Sequence, residues 1–345
     1  MAAGVPLGWR VGVEEERFVL VDGRAPATAE FRALITELAR RGGYAVAEVG
    51  TTAGPLLEAR RETPTGRVTV KHDYGTHLVE VAYPPVSTRD ELVALYAEVW
   101  DGLRPAAEAT GVDFLDTSYL ADLPAGYVYA EHDMYAARTE RLIGRPLPPA
   151  PLAAPHFLAH LAATQVTIEV DPEWLVAHLP AAYSLLYLVP STFSRPQQVG
   201  GRSYRAARPP AYRDNLPHHP LAGVPRELPS TLADYRRTQA DVPLGLRDYS
   251  FFSIRDNGLV EVRVGDALPT AGAVADLVAL VLGLVRYAAD AAPSAAPADE
   301  FYRFCEDGTL PDRAREDLAA MSEAIDALPL AWRPPVPVLA EGAVR

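Results

Sequence analysis

The sequence predicts an α+β fold. Strand-like and helical segments come in groups rather than in strict alternation. Residues 44–82 break into short apolar runs separated by Gly, Pro and Thr, the mark of a meander, and Asn257-Gly258 between two β-rich runs is a strong hairpin signal. No internal repeat or composition break divides the 345 residues. They are therefore expected to form one catalytic domain over 1–330, with a peripheral Pro-rich tail over 331–345.

Residues 9–22 read as a strand, with Val11, Val13, Phe18 and Leu20 apolar around an acidic centre. Phe31, Leu34, Ile35 and Leu38 recur at helical spacing, and Gly42-Gly43 supplies a C-cap, because glycine accepts the left-handed conformation that ends a helix. Residues 44–49, 56–60 and 67–70 are the strands of the meander. Residues 77–82 form another strand, expected to stop at Pro84-Pro85 because proline offers no N–H to a ladder. From Ser87 a helix presents Leu92, Leu95, Tyr96, Val99 and Trp100 on one face. Residues 162–170 read as a strand and 173–188 as a helix. Residues 190–229 are expected to be a long irregular stretch, which in a compact domain is usually functional or disordered. The hairpin pairs 249–254 with 259–264, and helices at 271–290 and 312–327 follow.

Composition narrows the function. A net charge of −13 argues against nucleic acid and anionic membrane as partners. The lone Cys305 excludes an internal disulfide framework and multi-cysteine metal sites. Lys71 is the only lysine, which excludes a Walker-type phosphate loop and leaves one candidate for Schiff-base chemistry. The most apolar stretch, 271–289, is interrupted by Asp276 and Arg286 and reads as a buried helix rather than a membrane span. No export signal is evident, so a cytoplasmic location is expected. His156 and His160 stand at i, i+4, but Phe157 occupies the position where a zinc protease motif has glutamate.

The acidic strand is the first candidate site. Alternation puts Glu14 and Glu16 on one face and Glu15 on the other. Like charges on one face repel unless water, arginine or a cation compensates them, so a solvated edge strand is the competing explanation. Asp73 and Glu80 form a second pair across a turn, and Glu261 shares a strand face with Arg263 and Gly265. Hard oxygens from several strands suit Mg²⁺, above all one that also bridges phosphates. An ion pair with arginine explains Glu261 equally well. Between Ser191 and Arg213 stand Arg195, Arg202, Arg205, Arg208 and Arg213 with no acidic residue among them. With Gly200-Gly201 free to bring backbone close to a ligand, such a loop suits Mg-nucleotide; a solvated basic loop is the alternative.

Taken in order, these segments resemble a known family. Gly12-Val13-Glu14-Glu15-Glu16, then Leu78-Val79-Glu80 before Pro84-Pro85, then Arg255-Asp256-Asn257-Gly258-Leu259-Val260-Glu261-Val262-Arg263 resemble the glutamate–cysteine ligase superfamily, closest to its bacterial carboxylate–amine ligase (type 2) branch. Ala163-Thr164-Gln165-Val166-Thr167-Ile168 is similar to its central strand, and Ser203-Tyr204-Arg205 resembles its arginine loop. The resemblance implies a glutamine-synthetase-like fold, in which a curved, mainly antiparallel sheet forms a funnel with helices packed outside. It implies ATP-dependent carboxylate–amine ligation: ATP phosphorylates a carboxylate, commonly the γ-carboxyl of glutamate, and an amine displaces phosphate from the acyl-phosphate.

The resemblance also implies ATP and Mg²⁺ as cofactors. Metal ligands fall at Glu14, Glu16, Asp73, Glu80, Gln165 and Glu261, cofactor contacts at Arg205, Arg255 and Arg263, and catalytic roles at Arg205, Arg263 and Glu261. Gln165 stands where relatives often carry histidine. Thr167 and Glu169 stand where a second histidine or a small polar residue is common. The implied partners are an amino acid or other small carboxylate and an amine, with no nucleic acid and no membrane; a homo-oligomer is an option. The arginine loop, 195–213, is expected to close over the acyl-phosphate. Two rivals stand beside this: another phosphoryl-transfer enzyme on the same scaffold, and a non-catalytic nucleotide-binding or regulatory homologue.

Overall fold

The structure, a computed structural model, describes residues 7–242 and 247–339. Its centre is the long strand β1 (Leu7–Leu20). Next in the chain come α1 (Thr28–Gly42), the meander β2 (Ala45–Val49), β3 (Leu56–Thr63), β4 (Gly66–His72) and β5 (Leu78–Val86), and the helix α2 (Arg89–Thr110). β6 (Asp113–Phe114), α3 (Asp133–Ile143), β7 (Thr164–Val170), α4 (Pro172–Leu185) and α5 (Leu188–Phe193) follow. The remainder comprises β8 (Gln197–Val199), β9 (Arg202–Tyr204), α6 (Arg208–Asn215), β10 (Ala222–Gly223), α7 (Leu232–Ala240), β11 (Tyr249–Ser250), β12 (Phe252–Ile254), β13 (Leu259–Val262), α8 (Ala271–Tyr287), α9 (Pro297–Asp307) and α10 (Ala314–Asp326).

One sheet runs β12-β13-β7-β1-β5-β4-β3-β2, with β6 added at the end of β1. Each of its pairings is antiparallel. The α+β class is therefore as expected, and β1, paired on both sides, is not an edge strand.

One face of the sheet carries α1 and α2. Phe31, Leu34, Ile35 and Leu38 of α1 and the expected stripe of α2 are buried. Gly43 ends α1 at φ 67°, as its residue type required. Thr88 caps α2 by accepting from the Glu91 amide. Glu15 points into this face and is fully buried. Its carboxylate accepts hydrogen bonds from Arg17 Nε (2.7 Å), Tyr96 OH, Tyr83 OH and Trp100 Nε1 (each 3.1 Å), so all of its charge is spent on structure. Among the described residues no helix is long and apolar enough to cross a membrane. α8 packs against α2 and α10, and its Asp276 pairs with Arg89 at 2.9 Å.

Two expectations are corrected. β5 runs through Pro84-Pro85 to Val86. Its pairing with β4 ends at Ala82, and beyond that only β1 pairs with it, across an irregularity between Val11 and Val13, where a missing N–H is tolerated. The 190–229 stretch is not irregular: it holds the end of α5, the β8–β9 hairpin, α6 and β10. Gly200 and Gly201, at φ 57° and 78°, are the two-residue turn of that hairpin rather than a ligand-binding backbone. The 331–345 tail starts from an anchored point, and residues 333–338 beyond it are exposed or half-buried. Trp332 is fully buried with its Nε1 donating to the Trp9 carbonyl at 3.0 Å, and the Arg89 amide donates to the Ala331 carbonyl at 2.8 Å.

The helices α3, α7 and α9 were not anticipated. α9 had a legible signal in Pro297 at its start and buried Phe301, Tyr302, Phe304 and Cys305. α3 and α7 bury too few apolar residues for a periodic pattern to stand out.

Candidate active site

Register assembles the polar row across five strands. Glu14 lies opposite Gln165 of β7, and Glu16 opposite Glu80 of β5. Lys71 of β4 lies opposite Glu80 on the other side, and Glu261 of β13 lies opposite Thr167. Glu14, Glu16, Lys71, Asp73, Glu80, Gln165, Glu261, Arg255 and Arg263 all line one cavity of about 420 Å³. The face opposite Glu15 is thus a continuous charged row, as alternation along β1 dictates.

Glu16 is buried. Its Oε1 accepts from Gln165 Nε2 at 2.6 Å and its Oε2 from the Ala163 amide at 2.9 Å. Burial and the neighbouring Asp73 and Glu80 charges push it well above the ordinary carboxylate range. Burial likewise drives Glu80 up to about 8, although Lys71 lies 3.1 Å away and opposes the shift. Burial and Glu261 raise Glu14. For Lys71, burial favours the neutral amine, but Glu80 and Asp73 outweigh it and the ammonium is held.

Glu261 behaves differently. Burial would raise it, yet Arg263 and Arg255 outweigh burial and keep it ionised. Arg263 Nε donates to Glu261 Oε2 at 2.8 Å, and Arg255 pairs with the same oxygen.

The donors fit a hard cation in kind: buried Glu16 and Glu80 and partly buried Glu14 repel one another, and the one ammonium ion-paired within the set, Lys71, is on Glu80. Among the described residues, however, no three or more His, Cys, Asp or Glu side chains are gathered closely enough to enclose an ion. That combination suits Mg²⁺ held by one or two carboxylates and otherwise by substrate phosphates, better than a closed protein cage.

The arginine loop is corrected. Arg205 is absent from the cavity lining, and its Nη2 donates to the Ser191 carbonyl at 3.1 Å. Arg195 pairs with Asp116 at 2.5 Å, Arg202 with Glu306 at 2.9 Å, and Arg213 with Asp214 and Glu306, each at 2.7 Å. Arg208 is fully buried. It holds Asp266 at 3.2 Å and the carbonyls of Arg263 and Gly265 at 2.7 and 2.8 Å, so it fixes the chain that carries Arg263. The basic stretch is spent on structural partners, Asp116, Asp266 and Glu306 among them distant in sequence.

His160 Nδ1 is hydrogen-bonded with the Leu120 carbonyl at 2.7 Å, and neither His156 nor His160 lines the cavity. Cys305 is buried, and burial pushes its thiol well up, as for a structural cysteine. The sequence reading missed Glu58, Glu131, His132, Met134, Tyr135, Tyr212, Arg247 and Tyr249, which also line the cavity. No local motif marks them, because they are scattered over β3, α3, α6, β11 and the connecting loops.

The antiparallel sheet with its helices is a scaffold shared with solved ligases. The structures it resembles include a bifunctional glutathione synthetase from Pasteurella multocida, at TM-score 0.61 and 13% identity over 98% of this chain and 49% of that one. Glutamate–cysteine ligase from Francisella tularensis, in complex with AMP, matches at TM-score 0.52 and 13% identity over 95% and 80%. The Pup ligase PafA, in complex with the prokaryotic ubiquitin-like protein Pup, matches at TM-score 0.51 and 11% identity over 92% and 56%. What is shared at such identities is the fold, and the chain spans about half the length of the first and third. The resemblance to the glutamate–cysteine ligase superfamily is borne out at that level. No family model matches the chain, and no curated protein matches it in sequence.

Proposed function

We propose that the chain is an ATP-dependent carbon–nitrogen ligase, glutamate–cysteine ligase-like, that forms a γ-glutamyl or related amide through an acyl-phosphate. The observation that carries this is the row of carboxylates and cations across β4, β5, β1, β7 and β13 on the floor of one cavity. The glutamine-synthetase-like funnel, a small carboxylate and a small amine as substrates, and ATP with Mg²⁺ belong to the same proposal.

One or two of Glu14, Glu16 and Glu80, with Gln165 and Asp73 beside them, would hold Mg²⁺ carrying the ATP phosphates. Bound there, the ion supplies positive charge that offsets the anionic carboxylate approaching the γ-phosphate. Arg263 and Arg255 present planar cations to the phosphoryl group in transfer. Glu261 sets the orientation of both guanidinium groups, and this pairing competes with a role as metal ligand. Lys71, paired with Glu80, opposes the upward push of burial on that carboxyl without overcoming it.

The test is ADP release from Mg-ATP across a panel of carboxylic acids, each with and without amines, with mass spectrometry of the products. Release that needs both substrates, with a product lighter by one water than their sum, supports the ligase. Release with a stable phosphorylated acid would replace it with a kinase. The pairing of Glu261 with two arginines favours a second reading, a nucleotide-binding homologue without turnover, whose mark is Mg-ATP binding with no ADP from any acid.

A further inference from the structure

We propose that Glu131 and the first turn of α3 form a subsite for a primary amine that bears an apolar or aromatic substituent and no carboxylate. Its role as the acceptor site rests on the ligase reading; the site itself rests on the wall's own chemistry.

Glu131 lines the cavity in half-buried surroundings. Its Oε2 accepts from Thr139 Oγ1 and its Oε1 from the His132 amide, both at 3.1 Å. Both donors are neutral, and among the described residues no arginine or lysine lies within ion-pair distance of it. Every other carboxylate in the row is either paired with a cation or placed to receive the metal. A carboxylate oriented by neutral donors keeps its charge for a cationic guest, and an ammonium group is the small cation that fits.

Met134 and Tyr135 adjoin it, 70% and 40% exposed, and line the same cavity together with Val49. Covering such surface is favourable, so an apolar substituent on the amine is held beside its charged end. Among the described residues the cavity's arginines, Arg247, Arg255 and Arg263, all come from one segment, 247–263; Arg247 is near enough to be felt by Glu131 but is not ion-paired with it. An α-carboxylate next to the amine would therefore meet the Glu131 charge, whereas a simple arylalkylammonium would not. The wall is anchored: the Asp133 amide donates to the Gly50 carbonyl at 3.1 Å, and the Thr52 amide to the Glu131 carbonyl at 3.0 Å.

Isothermal titration of the whole protein with phenethylammonium, methylammonium and phenylalanine tests the subsite directly. Phenethylammonium is expected to bind about tenfold or more tighter than the other two, and Glu131→Gln and Tyr135→Ala each to weaken it by about fivefold or more, with unchanged circular dichroism. Equal affinities for the three probes, no binding, or indifference of folded Glu131→Gln would overturn the proposal. Hydroxamate formation from Mg-ATP, the acid panel and hydroxylamine reads the ligase proposal separately. Hydroxamate without phenethylammonium binding overturns the subsite alone. Phenethylammonium binding without hydroxamate upholds an amine site and removes the ligase reading.

Discussion

Glu16 of β1 and Glu80 of β5 are direct cross-strand partners, two buried carboxylates set face to face across the sheet. Like charges so placed destabilise a sheet unless something positive enters. Lys71 answers Glu80 only, and Glu16 has a neutral amide group and a backbone N–H. A site organised around missing positive charge should respond to a cation.

Mg²⁺ with ATP should therefore raise the thermal midpoint, on the order of 2–5 °C for a chain of this size if binding is saturated. Glu16→Gln should remove most of that increment. Differential scanning fluorimetry with and without Mg-ATP measures it, and an equal shift in the variant would take Glu16 out of the metal site.

Glu261→Gln should cut ATP turnover by roughly 10²–10³-fold while the fold is retained, because both Arg255 and Arg263 lose the carboxylate that aims them. Arg263→Lys should also be damaging, since a point charge cannot reproduce a planar, two-pronged phosphate contact. Near-normal ADP release in either variant would contradict the assigned roles.

Arg208→Ala should destabilise the protein by about 3–5 kcal/mol, the usual cost of stranding a buried charge, here Asp266. Urea denaturation followed by circular dichroism reads it. A loss under about 1 kcal/mol would mean that Asp266 is not held by this pair.

Acid should destabilise the fold through its buried histidines. Burial pushes His77 and His219 down to about 4 from the ordinary value near 6.5. The unfolded chain thus binds more protons than the folded one between those values. Stability falls as pH drops from about 6.5 to about 4 and is unaffected by these groups above that window. Urea midpoints at pH 7 and pH 5 should differ less in His219→Asn than in the parent; equal differences would exclude His219 as a source.

The charged row was legible because alternation is local. β1 could not bury Glu15 against α2 without turning Glu14 and Glu16 to the other face, and β13 likewise sends Glu261 and Arg263 the same way. Helix α1 with its glycine cap, the stripe of α2 and the Asn257-Gly258 hairpin followed from the same short-range rules. The passage of β5 through Pro84-Pro85 did not, because whether a proline harms a strand depends on which neighbours remain beside it.

The sequence by itself determined which side chains share a strand or helix face, since those periods are set by the backbone. Tertiary structure decided what each charge meets. Arg195 reaches Asp116 across 79 residues and Arg202 reaches Glu306 across 104, so a stretch with no acid of its own turned out to be neutralised. The same long-range packing carried Glu131 and Met134 to the cavity while Arg205 was turned to a backbone carbonyl. Electrostatic partners are chosen by proximity in space, which a local pattern does not encode.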